Sequence, residues 1–518
     1  MQIRIAGRLI DAGEGENVLA ALARSGIPLT APCGGRGLCG KCMVTLLEGR
    51  ITGAEPDDRG RFAACKGTAA TDISLELPPG AGSLLRFPAS VSGEGFPGGL
   101  AGAVERTVSG RAGVALDVGT TTVSAQLIDL ESGRTLDTVS LLNDQRVFGA
   151  DVMSRISAAQ KGRTGELFRL INRETQGILE GFIEKHGLGT IERLSVSGNT
   201  TMLHLFVNMD PSSMGSSPFN PVFLEKRNLE GRELGLRALT VELLPSVSAF
   251  FGADALGALA AAGFPRLGKD LPAGESPASE LPPGSLLLDI GTNAEMALFT
   301  GGKLLCTSAA AGPVFEGAQI SCGSGGVEGA INRVFLRDGR PAYRVIGGGE
   351  PRGICGSGLI DAVALMLDQG IIDETGALSA KTGPRGFVIA GDIALSQADL
   401  RQFQLAKSAI LSGIRILCKK AGMVPGDLCQ VYITGGLGFF LDPRSAVRAG
   451  LLPPEFLGKI AVSENLSLKA AVQNLLDQGF LDALRALKAR CSVVELADED
   501  GFMKEFTENL LFPASSPG

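Results

Sequence analysis

Tryptophan is absent from this chain, and tyrosine and histidine occur twice each. So few aromatic rings exclude a base-stacking platform for single-stranded nucleic acid. Basic residues are in deficit as well: 48 Lys and Arg against 55 Asp and Glu leave a net charge of −7. That balance argues against nucleic acid or an anionic membrane as a partner. Long apolar runs are also missing. The longest nearly uncharged stretch, Leu243 to Pro265, is broken by Pro245, Asp254 and several glycines, and reads as a loop and a core helix rather than a membrane span. No signal-peptide core precedes the alternating residues Met1–Ile5, so a cytoplasmic protein is expected. What is abundant is apolar side chain, 44%, and glycine, 72 of 518 residues. The first allows a large core; the second, having no collagen-like period, belongs to tight turns and ligand-approaching loops.

At roughly 150 residues per domain, the length predicts three or four domains or subdomains. Residues 1–78 read as one unit with its own strands, helix and cysteine cluster. Residues 79–110, rich in Pro, Gly and Ser, read as a flexible linker. From residue 111 to 518, Val-, Ile- and Leu-rich strands alternate with helical stretches, the pattern of an α/β region with buried sheets. A second Pro/Gly/Ser-rich stretch, Pro265 to Ser285, divides it into lobes of about 111–264 and 286–518. The lobes open alike. Val114-Ala-Leu-Asp117-Val-Gly119-Thr120-Thr121 and Leu286-Leu-Leu-Asp289-Ile-Gly291-Thr292-Asn293 are apolar strands ending in Asp-x-Gly-Thr, about 170 residues apart. Two copies predict a duplicated fold with a ligand between them.

Four of the ten cysteines crowd the start of the chain, as Cys33-x5-Cys39-x2-Cys42 and then Cys65. Three thiolates on one Gly-rich loop with a distant fourth suit a [2Fe–2S] cluster, because close backbone can aim N–H groups at the sulfurs. A zinc-stapled minidomain is the alternative, although a zinc ribbon would carry two Cys-x-x-Cys knuckles. Strands over Gln2–Ala6, Arg8–Asp11 and Met43–Leu47 and a helix over about Glu16–Ser25 make this unit resemble the β-grasp ferredoxins, with the five-residue first gap of their adrenodoxin-like branch. The scattered Cys306, Cys322, Cys355, Cys418, Cys429 and Cys491 read as buried small hydrophobes, and His186 and His204 as structural.

In the lobes, the two Asp-x-Gly-Thr turns would supply N–H and hydroxyl donors to phosphates through Gly119, Thr120, Thr121, Gly291, Thr292 and Asn293. Asp117 and Asp289 would hold Mg²⁺ through water. The strand Val431–Thr434 runs into Gly435, Gly436 and Gly438, where backbone can lie against a base and ribose. A turn with no ligand is the bland alternative for each motif alone. Gly252-Ala-Asp254 resembles the Gly-x-Asp that carries the catalytic base in glycerol and xylulose kinases; that resemblance implies a general base near the terminal phosphate, and the alternative is a carboxylate at a helix start. Asn199, in Gly198-Asn-Thr-Thr, is either a cleft residue or a simple helix cap. The order of the three loops resembles the actin, sugar-kinase and Hsp70 (ASKHA) ATPases, with a ribonuclease H-like α/β fold.

A [2Fe–2S] ferredoxin joined to such an ATPase resembles one family, the reductive activators of corrinoid-dependent enzymes. Carrying that resemblance are the cysteine loop, Asp117–Thr122, Gly198–Met202, Leu288–Asn293, Cys306–Gly317, Gly353–Asp361, Gln404–Ile410 and Thr434–Gly438. Two departures stand out. Only about 30 residues separate ferredoxin and ATPase, which leaves no room for the extra middle domain of some members. And Ser463–Lys469 replaces a small Gly-Asn-Ala segment. The resemblance implies an ATP- and Mg²⁺-dependent electron transfer from the cluster to an inactive cobalt(II) corrinoid protein or corrinoid-dependent methyltransferase. It also implies an external low-potential electron donor and pairing of two copies through the ATPase domain. A cluster near about −400 mV is poorly matched to cobalt(I) formation, and about 59 mV of mismatch costs a factor of ten. ATP would close that gap. A small-molecule kinase using Asp254 as base, or a redox-sensing ATPase, are the rival expectations.

Overall fold

The computed structural model describes residues 1–5, 8–13, 15–25, 27, 29, 37, 42–78, 110–264, 281–437, 440–463 and 465–514. Cys33, Cys39, Gly438, residues 79–109 of the expected linker and residues 265–280 lie outside them.

Strand alternation sets the first unit. In β1 (Gln2–Ile5), Ile3 and Ile5 turn inward and Gln2 and Arg4 outward. β1 forms a hairpin with β2 (Arg8–Asp11), and α1 (Val18–Arg24), β3 (Met43–Glu48), the short β4 (Ile51–Thr52), β5 (Arg61–Ala63), β6 (Thr68–Ala69) and β7 (Ile73–Glu76) follow. The sheet order is β2-β1-β7-β3-β5, with β1 parallel to β7. Val18, Leu19 and Leu22 of the helix share one core with Val44, Phe62 and Leu75 of the sheet. This mixed sheet gripping one helix is the β-grasp arrangement, and the expected strands and helix fall where the sequence put them.

The next elements are β8 (Ala112–Val118), β9 (Thr122–Asp129), β10 (Thr135–Leu142), α2 (Val152–Ala158), α3 (Thr164–His186), β11 (Ile191–Gly198), α4 (Thr200–Phe206), β12 (Arg227–Glu230), β13 (Ala238–Leu243) and α5 (Ala253–Ala261). They build a sheet of order β10-β9-β8-β11-β13-β12. β8 and β11 are buried along nearly their whole length, as strands covered on both faces must be.

The last region contains β14 (Ser285–Ile290), β15 (Ala294–Phe299), β16 (Leu304–Ala309), β17 (Ala330–Arg337), β18 (Arg340–Val345), β19 (Gly353–Ile354), α6 (Gly356–Asp368), β20 (Phe387–Ala390), β21 (Ile393–Leu395), α7 (Gln397–Lys420), β22 (Gln430–Thr434), α8 (Pro443–Arg448), β23 (Ile460–Val462), α9 (Leu466–Leu476), α10 (Phe480–Arg490), β24 (Cys491–Val493) and α11 (Phe502–Glu508). Its main sheet runs β23-β22-β14-β15-β16-β24. In both large sheets an antiparallel three-strand meander is followed by two strands parallel to its first member: β11 and β13 beside β8, β22 and β23 beside β14. The repeated sequence motif is therefore a repeat of topology.

The chain then returns to the first large sheet. Leu468, Ala471 and Leu475 of α9 pack on Ala115 and Ile128 of β8 and β9. At the other end, buried Lys407 of α7 donates its Nζ protons to the carbonyls of Asn509 and Leu511, at 2.6 Å each, so the Gln404–Ile410 block clamps the C-terminal segment. Cys306, Cys355 and Cys418 are buried as expected; Cys429 is not, being exposed beside the carbonyl of Pro283. It precedes the first residue of β22, Gln430, and so lies outside the sheet. His204 is structural: Nδ1 meets the carbonyl of Thr200 and Nε2 accepts from the amide of Val222. Among the described residues no helix is long and apolar enough to cross a membrane.

Candidate functional site

A cavity of about 770 Å³ lies between the two large sheets. The candidate nucleotide-site residues among the described ones all line it: Asp117, Gly119, Thr120, Thr121, Asn199, Asp254, Asp289, Gly291, Thr292, Asn293, Gly435 and Gly436.

Each Asp-x-Gly-Thr motif is the turn of a hairpin. β8 pairs with β9 up to Val118↔Val123, and β14 with β15 up to Ile290↔Ala294, so both turns sit at the same end of their sheets. They face one another closely enough for the hydroxyls of Thr121 and Thr292 to stand 3.2 Å apart. The first turn is braced from behind. Asn143 Nδ2 donates to the carbonyl of Gly119 at 2.8 Å, and the fully buried Arg155 donates to the carbonyl of Thr120. Burial pushes the Arg155 guanidinium down to about 9. Asn199 fulfils both of its sequence readings at once. Its Oδ1 caps α4 through the amide of Met202, and its Nδ2 donates to Thr120 Oγ1 at 2.9 Å. Asp254 stands in the first turn of α5, as its helix-start reading has it, and lines the cleft. Gly435 has φ +91, and a Cβ there would lie 2.5 Å from Asp289 Oδ1. This glycine lets the β22 loop close over the second turn.

Sequence reasoning missed three sets of residues here. Glu316 Oε2 accepts from Thr121 Oγ1 at 2.7 Å and from Thr292 Oγ1, joining the two turns. Glu295 lines the floor and accepts from Ser308 Oγ at 3.0 Å. Asn465 Nδ2 and Ser467 Oγ donate to the two oxygens of Asp117 at 2.7 and 2.8 Å. Asn465 also caps α9 through Oδ1, which leaves its Nδ2 aimed at Asp117. The Ser463–Lys469 segment, expected only as an altered wall, thus orients the first aspartate. Glu316 lay inside the Cys306–Gly317 block; Asn465 and Ser467 lay inside that altered segment.

Among the described residues, five carboxylates share this floor, and the lining includes one cation, Lys469. Burial pushes Asp289 up to about 8, with the charges of Asp254, Asp117 and Glu316 adding to it. Burial raises Asp254 to about 7, helped by the charge of Asp117. Glu295 is held well above the ordinary carboxylate range by burial and by Asp254 and Asp289. Burial also raises Asp117 and Glu316, against the hydrogen bonds each accepts. Such a floor repels bare phosphate and suits phosphate accompanied by a cation.

In the first unit, Met43↔Ala63 pairing and an Ala64 N–H to Cys42 carbonyl bond of 2.9 Å bring Cys42 and Cys65 side by side, both buried. Gly37, at φ +73, packs so closely on Lys66 that a Cβ would meet its Cε at 2.1 Å. Gly37, which lies between Cys33 and Cys39 in the sequence, thus stands beside the neighbour of Cys65.

Comparison with known proteins agrees with this geometry. The 2Fe-2S iron-sulfur cluster binding domain matches residues 3–69, the RACo middle region residues 112–266, and the C-terminal ASKHA domain of RACo residues 284–517. The middle region falls on the first large sheet, which corrects the expectation that this chain lacks one. That expectation arose because the duplicated topology made the segment read simply as a first ATPase lobe. The corrinoid activation enzyme RamQ of Eubacterium limosum is 32% identical over 77% of this chain and 70% of its own length. The [Co(II) methylated amine-specific corrinoid protein] reductase of Methanosarcina barkeri is 30% identical over 71% of each. The solved structure of a reductive activator for corrinoid, iron-sulfur protein is 25% identical, covers 99% of both chains and has a TM-score of 0.71. By its three matched regions and by these relatives, the chain belongs to the RACo family of corrinoid-activating proteins, a ferredoxin domain followed by the RACo middle region and its ASKHA domain.

Proposed function

We propose that this protein binds and hydrolyses ATP between its two large sheets to drive an electron from a [2Fe–2S] cluster onto the cobalt(II) of a corrinoid protein. The observation carrying the reading is the meeting of the two Asp-x-Gly-Thr turns across one cleft, in a chain that also folds a ferredoxin unit. Cys33, Cys39, Cys42 and Cys65 would hold the cluster, which supplies the one-electron step. Thr120, Thr121, Gly291, Thr292 and Asn293 would offer donors to phosphates, and Gly435 and Gly436 their backbone to the nucleoside, with Gly438, outside the described residues, expected beside them. Among the described residues no three His, Cys, Asp or Glu side chains are arranged to hold a metal directly. Asp117 and Asp289 would hold Mg²⁺ through water, a usual mode for this ion beside phosphates. Asp254, raised to about 7, is suited to take a proton from an attacking water near neutral pH. Electrons arrive from an external low-potential donor.

ATP hydrolysis by the purified protein, alone and with a cobalt(II) corrinoid protein, tests this. Turnover is expected to be low alone and to rise with the partner. Asp117→Ala or Asp289→Ala should abolish it while leaving the visible spectrum of the cluster intact. Unchanged turnover in both variants would place the nucleotide chemistry elsewhere.

A further inference from the structure

Glu316 occupies a position that no phosphate-binding motif predicts. It ends the single helical turn Pro313–Glu316 after β16 and reaches between the two hairpin turns. One oxygen, Oε2, accepts from Thr121 of the middle region and from Thr292 of the ASKHA domain. A threonine hydroxyl has one proton to donate. While both protons point at Glu316, neither hydroxyl can donate to a phosphate. A carboxylate oxygen and a phosphate oxygen are the same kind of acceptor, anionic and charge-assisted. They compete for the same two donors.

We propose that Glu316 stands in for the terminal phosphate of a nucleoside triphosphate. In the nucleotide-free protein its carboxylate ties the two phosphate turns together, and a triphosphate long enough to reach both takes over the hydroxyls and releases it. The inference rests on the reading of the cleft as an ATP site. Two consequences follow from the proton count. Part of the triphosphate's binding free energy goes into breaking the bridge. A diphosphate, which lacks the group that would reach both turns, leaves the bridge in place. Loss of the terminal phosphate then lets Glu316 reclaim both threonines, so the diphosphate and empty states share one arrangement of the turns and the triphosphate state has another.

Equilibrium titration of the full-length protein with Mg²⁺ and a non-hydrolysable ATP analogue, and separately with Mg²⁺ and ADP, tests this in wild type, Glu316→Gln and Glu316→Asp. Gln keeps the shape and removes the charge; Asp keeps the charge and is too short to span both hydroxyls, so either variant alone suffices if the other does not fold. The expected result is about tenfold tighter binding of the triphosphate, from loss of a charge-assisted competitor, with ADP affinity changed less than about twofold. Unchanged or weaker triphosphate binding in the variants overturns the proposal, as does an equal gain for ADP. Wild-type protein that binds neither nucleotide overturns the ATP-site reading itself, a result visible before any variant is compared.

Discussion

At the scale of single residues, the site is a set of carboxylates held against their own charge. Asp289 carries the plainest consequence. Its proton is held to about pH 8 in the fold but leaves an unfolded chain near the ordinary carboxylate value. Between those limits the folded state binds more protons here than the unfolded one, so this group's contribution to stability is fullest below the ordinary carboxylate value and is lost as pH rises through about 8. A tenfold difference in proton affinity between the two states is already worth about 1.4 kcal/mol. Asp289→Asn should therefore stabilise the nucleotide- and metal-free protein at pH 8 by about 1 kcal/mol or more and flatten the decline, measured by denaturant unfolding across pH. An undiminished decline in the variant would refute this. Asp254→Asn should lower ATP turnover by about 10²-fold or more while leaving nucleotide binding in place, the signature of a lost general base. Equal losses in binding and turnover would make it a structural carboxylate instead. The aspartates, threonines and glycines of the turns were legible in sequence because each motif is local, three to five residues that fold as one hairpin. Glu316 and the Asn465–Ser467 pair were not. Glu316 reaches Thr121 from 195 positions away, and Asn465 and Ser467 reach Asp117 from 348 and 350, and nothing in a linear pattern aims a side chain across that distance.

At the scale of elements, hairpins and caps do the positioning. The N-terminus of α9 is tied to both sheets: the amide of Leu466 donates to Thr434 Oγ1 of β22, and Asn465 and Ser467 donate to Asp117 of β8. The clamp on Lys407 shows why a block of sequence can belong to a family without carrying chemistry. Gln404, Lys407 and Ser408 together hold the carbonyls of the C-terminal segment. In the ferredoxin unit the β3–β5 pairing fixes where Cys42 and Cys65 meet. Anaerobically purified protein should thus contain about two irons per chain. Cys42→Ser should lose or distort the cluster without unfolding residues 111–518, which have cores of their own. Stoichiometric zinc with no visible absorbance would replace the cluster reading with a zinc site.

At the scale of the whole molecule, the sequence made the duplicated α/β fold legible because both copies open on the same strand-and-turn motif. It left the middle region unrecognised as such, since identical topology made two named segments look like two halves of one domain. The combination of a redox unit with a nucleotide cleft has a thermodynamic reason. On the proposed function, a ferredoxin-type cluster near about −400 mV would deliver an electron uphill to cobalt(II), and each 59 mV would cost about a factor of ten. The proposed nucleotide-dependent change in how the two turns are held would offer the coupling, provided that the two states differ in their hold on the partner. Cobalt(I) absorption, followed after mixing the reduced protein anaerobically with a cobalt(II) corrinoid protein, with and without Mg²⁺ and ATP, tests this most directly. Little cobalt(I) is expected without nucleotide and substantial formation with it. Cobalt(I) appearing equally fast and completely without ATP would contradict a nucleotide-driven electron transfer.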